Sequence, residues 1–119
     1  MNYTVEEKSF QFATRIVNVY KYMTGNKNEY ILSKQLLRCG TSIGANISEA
    51  QQGQSRADFI AKLSIALKEA YETNYWLRLL HATDYLSNAE FSSLMQDCQE
   101  LEKMLTAIIK SSKGQPASS

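Results

Sequence analysis

Side chains able to do chemistry are few in this chain. His81 is the sole histidine of the 119 residues. A metal-dependent helical bundle needs several inward carboxylates and usually paired Glu-x-x-His motifs, so a di-iron centre is excluded. His81 falls near the apolar side of a helix end, where a hydrogen-bonded imidazole is expected rather than a ligand or a base. Cys39 and Cys98 do not form a Cys-x-x-Cys pair, and reduced thiols packed in a core are the expectation for both. Neither a Gly-x-Ser-x-Gly elbow nor a phosphate-cradling Gly-x-x-x-x-Gly-Lys loop occurs. Asn46, Glu49, Glu69 and Glu72 could surround a ligand, but carboxylate pairs are too common on helices to constitute an active site. No catalytic residue, cofactor or metal is therefore expected.

The elements that must position these groups are helical. Apolar residues make up 44% of the chain and charged residues 21%, with one proline and five glycines, a composition that favours a helical globular protein over a turn-dense β fold. Hydroxyl residues precede acids by three positions at Thr4 with Glu7, Ser55 with Asp58 and Ser87 with Glu90. Each pair stands just ahead of an apolar-periodic run and reads as a helix start. The runs predict helices over 5–23, 29–51, 56–84 and 88–112. The stripes are Phe12, Ile16, Val19, Tyr20 and Met23; then Leu32, Leu36, Cys39, Ile43, Ile47 and Ala50; then Phe59, Leu63, Ala66, Leu67, Ala70 and Leu77; then Phe91, Leu94, Cys98, Leu101, Leu105 and Ile108. Short connections make successive helices antiparallel, so the expected fold is an all-α, up-down-up-down four-helix bundle spanning residues 1–112, with a disordered tail over 113–119. No stretch reaches the roughly 18 to 20 apolar residues of a membrane span, and the N-terminus lacks the order of a signal peptide, which predicts a cytoplasmic protein without a membrane partner.

Three features exceed what the core requires. Gly40 and Gly44 sit inside the second helix, where each glycine costs about 1 kcal/mol relative to alanine, and their four-residue spacing offers a flank for close approach of another helix, the reading preferred to a kink. On the opposite flank Gln35, Arg38, Ser42, Asn46 and Glu49 form a polar stripe. It reads either as a solvated boundary or as a hydrogen-bond network with Lys62, Glu69 or Glu72 of the third helix. The third helix carries apolar residues on a second face, Ile65, Trp76 and Leu79, with Tyr71 and Tyr75 elsewhere. An apolar patch containing a tryptophan predicts a contact surface and hence self-association. Gly40, Gly44, Ile65, Trp76 and Leu79 are the candidate oligomer contacts.

The segment QLLRCGTSIGANISEAQQGQSRADFIAKLSIALKEAYETNYWLRLL, Gln35 to Leu80, closely resembles the bacterial four-helix-bundle proteins first noticed as products of 23S rRNA intervening sequences. The most telling words are Ser42-Ile43, Asn46-Ile47 and Glu49-Ala50, followed by the neighbourhoods of Asp58-Phe59, Lys62-Leu63 and Lys68-Glu69. The resemblance implies an up-down bundle assembled as a homopentamer. It also implies two classes of function. One is a non-enzymatic scaffold or adaptor whose ligand is another protein. The other is an RNA- or DNA-binding accessory protein, since members are suspected of binding RNA and the similar accessory protein of diversity-generating retroelements binds nucleic acid and a reverse transcriptase. In that second class Lys34, Arg38, Arg56, Lys62 and Arg78 of several subunits would combine into a positive surface. The net charge of +1 supplies no strong field of its own.

Overall fold

The computed structural model describes residues 4–114. Among them lie four helices and no strand: α1 Val5–Asn26, α2 Leu32–Ala50, α3 Arg56–Ala82 and α4 Asn88–Ser112. Lys113 and Gly114 turn the chain after α4. Residues 115–119 of the expected tail and residues 1–3 of the expected bundle lie outside the described residues.

Local hydrogen bonds explain where the helices begin. The side chains of Thr4 and Ser55 accept from the backbone N–H of Glu7 and Asp58, each at 3.1 Å. At α4 the capping box is complete: Glu90 N–H donates to Ser87 Oγ at 3.1 Å while Ser87 N–H donates to Glu90 Oε1 at 2.9 Å. The start of α2 corrects the expected position. Glu29, read as its first residue, instead lies outside the helix and turns its carboxylate onto the N–H groups of Ile31, Leu32 and Ser33 at 3.0, 2.9 and 2.7 Å. Burial alone would raise the pKa of Glu29, but those donors hold it below the usual carboxylate value.

The helix ends also differ from the periodic pattern. α1 runs past Met23 to Asn26, because Gly25 and Asn26 accept helical backbone and Thr24 Oγ1 donates to Tyr20 O at 3.0 Å. α3 stops at Ala82 rather than 84. Asp84 adopts φ 68, and the bonds Tyr85 N–H to Leu80 O at 2.9 Å and Asp84 N–H to His81 O at 3.1 Å close the helix in the arrangement usually reserved for glycine.

Around the core the helices occupy four corners in chain order. Close packing joins α1 to α2, α2 to α3 and α3 to α4, while α1 and α4 touch more thinly. Phe12, Ile16, Met23, Leu36, Cys39, Ile43, Ile47, Leu63, Ala66, Ala70, Leu77, Leu80, Cys98, Leu101 and Leu105 are all essentially inaccessible to solvent. At the end of α4, Ile109 is buried and Ile108 only half-buried, so the stripe there steps by four rather than three. Long cations span the thinner α1–α4 boundary. Lys8 Nζ lies 3.7 Å from Asp97 and 3.2 Å from Glu100, and Arg15 Nη1 lies 2.6 Å from Asp97.

Candidate interaction faces

The polar stripe of α2 meets α3 in two separate groups. In the first, Arg38 reaches Glu69 at 3.5 Å and also pairs with Glu72. Glu72 Oε2 accepts in addition from Trp76 Nε1 at 3.0 Å. In the second, Lys62 Nζ meets Glu49 Oε1 at 2.9 Å. Ser42 and Asn46 join neither. Ser42 Oγ donates to Arg38 O at 2.7 Å, and Asn46 Nδ2 donates to Ser42 O at 2.8 Å, so both satisfy themselves on their own helix. The side chain of Arg38 is half exposed. The arrangement is therefore a seam at the rim of α2 and α3, and exposed pairs of this kind contribute about 0–1 kcal/mol each.

Candidate oligomer contacts separate into inner and outer residues. Gly40 is buried, and a Cβ placed there would lie 2.8 and 2.9 Å from Ile16 side-chain atoms. This corrects its assignment to a contact between chains: the helix that takes advantage of Gly40 is α1 of the same chain. A Cβ at Gly44 would meet Ser9 at 3.4 Å, and Gly44 remains partly open in a groove between α1 and α2. Trp76 is likewise drawn inward. It is half-buried, packs against the core and bonds Glu72. Ile65 stays outside at 43% exposure, and Leu79 is half-buried.

Periodicity undervalued three outer aromatic residues. Tyr71 and Tyr75 are 54% and 49% exposed on the outer side of α3. Tyr75 stands edge-on to Trp76 with centroids 5.1 Å apart, and the Arg78 guanidinium lies 5.9 Å from its ring. Phe10 on α1 is 74% exposed. It lines the α1–α2 groove, about 560 Å³, together with the small residues Ser9, Ala13, Gly44, Ala45 and Ser48. The signal for Phe10 was a phenylalanine two positions ahead of the core residue Phe12, off the buried stripe.

The five candidate nucleic-acid cations do not converge within one chain. Arg38 and Lys62 are held by carboxylates. Arg56 Nη1 donates to Ser112 O at 3.4 Å, and Arg78 Nε donates to Asn74 Oδ1 at 3.0 Å. Lys34 is exposed on α2. Arg56 and Arg78 stand at opposite ends of α3, about 33 Å apart along its axis at 1.5 Å per residue.

The groups with chemical potential are quiet. His81 stacks on Phe91, centroids 4.1 Å apart, and its Nε2 lies 2.7 Å from Asn88 Oδ1. Both thiols are buried and unpaired with each other. Burial pushes Cys39 up to about 11, and burial, reinforced by Glu102, raises Cys98 further. Among the described residues no cluster of three or more His, Cys, Asp or Glu could hold a metal, and no helix is long and apolar enough to cross a membrane.

A family model described as 23S rRNA-intervening sequence protein matches residues 1–107. The chain is also similar to a crystal structure from Bacteroides thetaiotaomicron VPI-5482, described as a protein with unknown function from the S23 ribosomal protein family. The two are 56% identical with a TM-score of 0.89, over 90% of this chain and 99% of that one. No curated protein matches the chain.

Proposed function

The chain belongs to the 23S rRNA-intervening sequence protein family, and from that footing we propose that it acts as a non-enzymatic, homo-oligomeric scaffold or adaptor, assembled as a pentamer. The outer side of α3 carries this reading. Ile65, Tyr71 and Tyr75 are each more than 40% exposed along one helix, and aromatic residues on an otherwise polar surface favour protein contact over water. The pentameric number follows from the family resemblance. Light scattering at micromolar concentration tests it: the expected mass is five times the 13.5 kDa chain, and a monomer overturns the proposal.

The alternative, an accessory protein that binds RNA or DNA, draws on the family's connection with rRNA. Its weakness is electrostatic. Backbone-directed binding depends on neutralising many phosphates, whereas Arg38 and Lys62 are already engaged by carboxylates. Fluorescence anisotropy at low salt with structured RNA and duplex DNA decides it: absence of binding where phosphate contacts are strongest removes this alternative.

A further inference from the structure

Self-association through α3 leaves open what the ridge of α3 touches. A two-fold pairing of two such ridges is one arrangement, since α3 could meet itself. Centred between Tyr71 and Tyr75, that pairing sets Lys68 of each copy against Arg78 of the other, residues five positions either side of the centre. Like charges placed opposite one another oppose association. No ion pair among the described residues involves Lys68 or Arg78, so neither charge is directly paired within the chain.

A second surface of the same molecule has the complementary properties. The α1–α2 groove is lined by small residues, from buried Ser9 through Ala13 and Gly44 to exposed Ala45 and Ser48, with Glu6 and Phe10 exposed beside them. Small lining residues let a helix approach toward the near end of the 8–10 Å range of interaxial distances. Along α2 the groove runs from Thr41 toward the helix end at Ala50, about 14 Å at 1.5 Å per residue, and continues to Gln51 and Gln52 in the turn beyond, while the ridge from Lys68 to Arg78 covers about 15 Å on the same scale. Its charge is opposite as well. Glu6 and Glu7 are exposed, and neither takes part in an ion pair among the described residues. Phe10 supplies an aromatic wall for incoming tyrosines.

We infer that the α1–α2 groove receives the outer ridge of α3 from a second copy of this chain, with Phe10 against Tyr71 and Tyr75 and with Glu6 facing the cation at one end of the ridge, Lys68 or Arg78 according to the direction of approach. The contact is heterologous: each copy offers a ridge to one neighbour and a groove to the other, which closes into a ring when the rotation permits. The inference rests on the self-association proposed above and adds the identity of the two faces.

Cysteine pairing separates the arrangements. Phe10→Cys and Tyr75→Cys are exposed positions, while the native thiols are buried. Each single variant and the Phe10→Cys/Tyr75→Cys double variant are oxidised with glutathione disulfide and run on a non-reducing gel, with mass read in parallel by light scattering. The expected result is a covalent ladder from the double variant alone. It should form on the order of a hundredfold faster than in either single variant, because an interface brings thiols from micromolar to near-millimolar effective concentration. Dimers from Tyr75→Cys alone would show α3 meeting itself and overturn the inference. An oligomer of unchanged mass without cross-links overturns the choice of faces while leaving self-association intact. A monomer overturns both.

Discussion

The two longest helices, α3 of 27 residues and α4 of 25, bury similar apolar stripes but turn opposite sides to solvent. α4 exposes Ser92, Ser93, Gln96, Gln99, Glu100 and Lys103. α3 exposes Ile65, Tyr71 and Tyr75 among polar residues that include Ser64, Lys68 and Arg78. A helix that is apolar inside and polar outside is completed by the chain that contains it, whereas one whose outer side also carries large apolar and aromatic residues leaves them without a partner in that chain. That difference is why the proposed contact surface is put on α3 rather than on α4.

Charge placed on each outer side tests that contrast most severely. Tyr71→Glu with Tyr75→Glu is expected to weaken assembly by at least about 2 kcal/mol, roughly thirtyfold in the association constant, as for central aromatic contacts. Ser93→Glu with Gln96→Glu on α4 is expected to leave assembly unchanged. Sedimentation equilibrium on both variants reads the comparison directly, and equal losses would erase it.

Variants in the fold itself sharpen it by separating packing from assembly. Gly40→Leu drives a side chain into Ile16, already 2.8 Å from an added Cβ, and is expected to destabilise the chain by about 1–3 kcal/mol in urea unfolding. Glu29→Gln weakens the α2 cap and is expected to cost about 1 kcal/mol at neutral pH without changing oligomer mass. The Glu29 carboxylate has a lowered pKa in the folded chain, so its contribution is complete above the ordinary carboxylate value and is lost as pH falls through the lowered one. The gap between wild type and Glu29→Gln should therefore close in acid, measured as unfolding midpoints from neutral pH downward. The smallest effect is expected at Gly25, a helical glycine with nothing within 4 Å of an added Cβ. Gly25→Ala should stabilise the chain by about 0.4–1 kcal/mol, chiefly by restricting the unfolded backbone.

Helix starts marked by a hydroxyl cap were legible, and residues that had to choose between a partner on their own helix and one on another were not. α4 spans the expected residues because Ser87 and Glu90 cap it within one turn. α2 starts three residues later than its pattern suggests because Glu29 acts as a cap while sitting at a position the periodicity also allows. The glycine pair signalled close approach without saying of what, and only the packing of Ile16 on Gly40 assigns it to α1. Ser42 and Asn46 looked equivalent to Arg38 and Glu49 on a helical wheel. Their short side chains reach carbonyls of their own helix first. Trp76 has the same ambiguity: its indole N–H finds Glu72 and turns the ring into the seam. Phe10 lies off the buried stripe of α1, and its position beside the groove depends on how α2 packs against α1.

The central claim is that the single chain is an incomplete hydrophobic object finished by its neighbours through α3. Sedimentation velocity of the wild type beside Tyr71→Glu/Tyr75→Glu, at the same micromolar concentration, tests this most directly. The account predicts a wild type sedimenting as a multiple of the 13.5 kDa chain and a variant sedimenting as the single chain. A wild type that sediments as a single chain would contradict it, and so would a variant that keeps the wild-type mass.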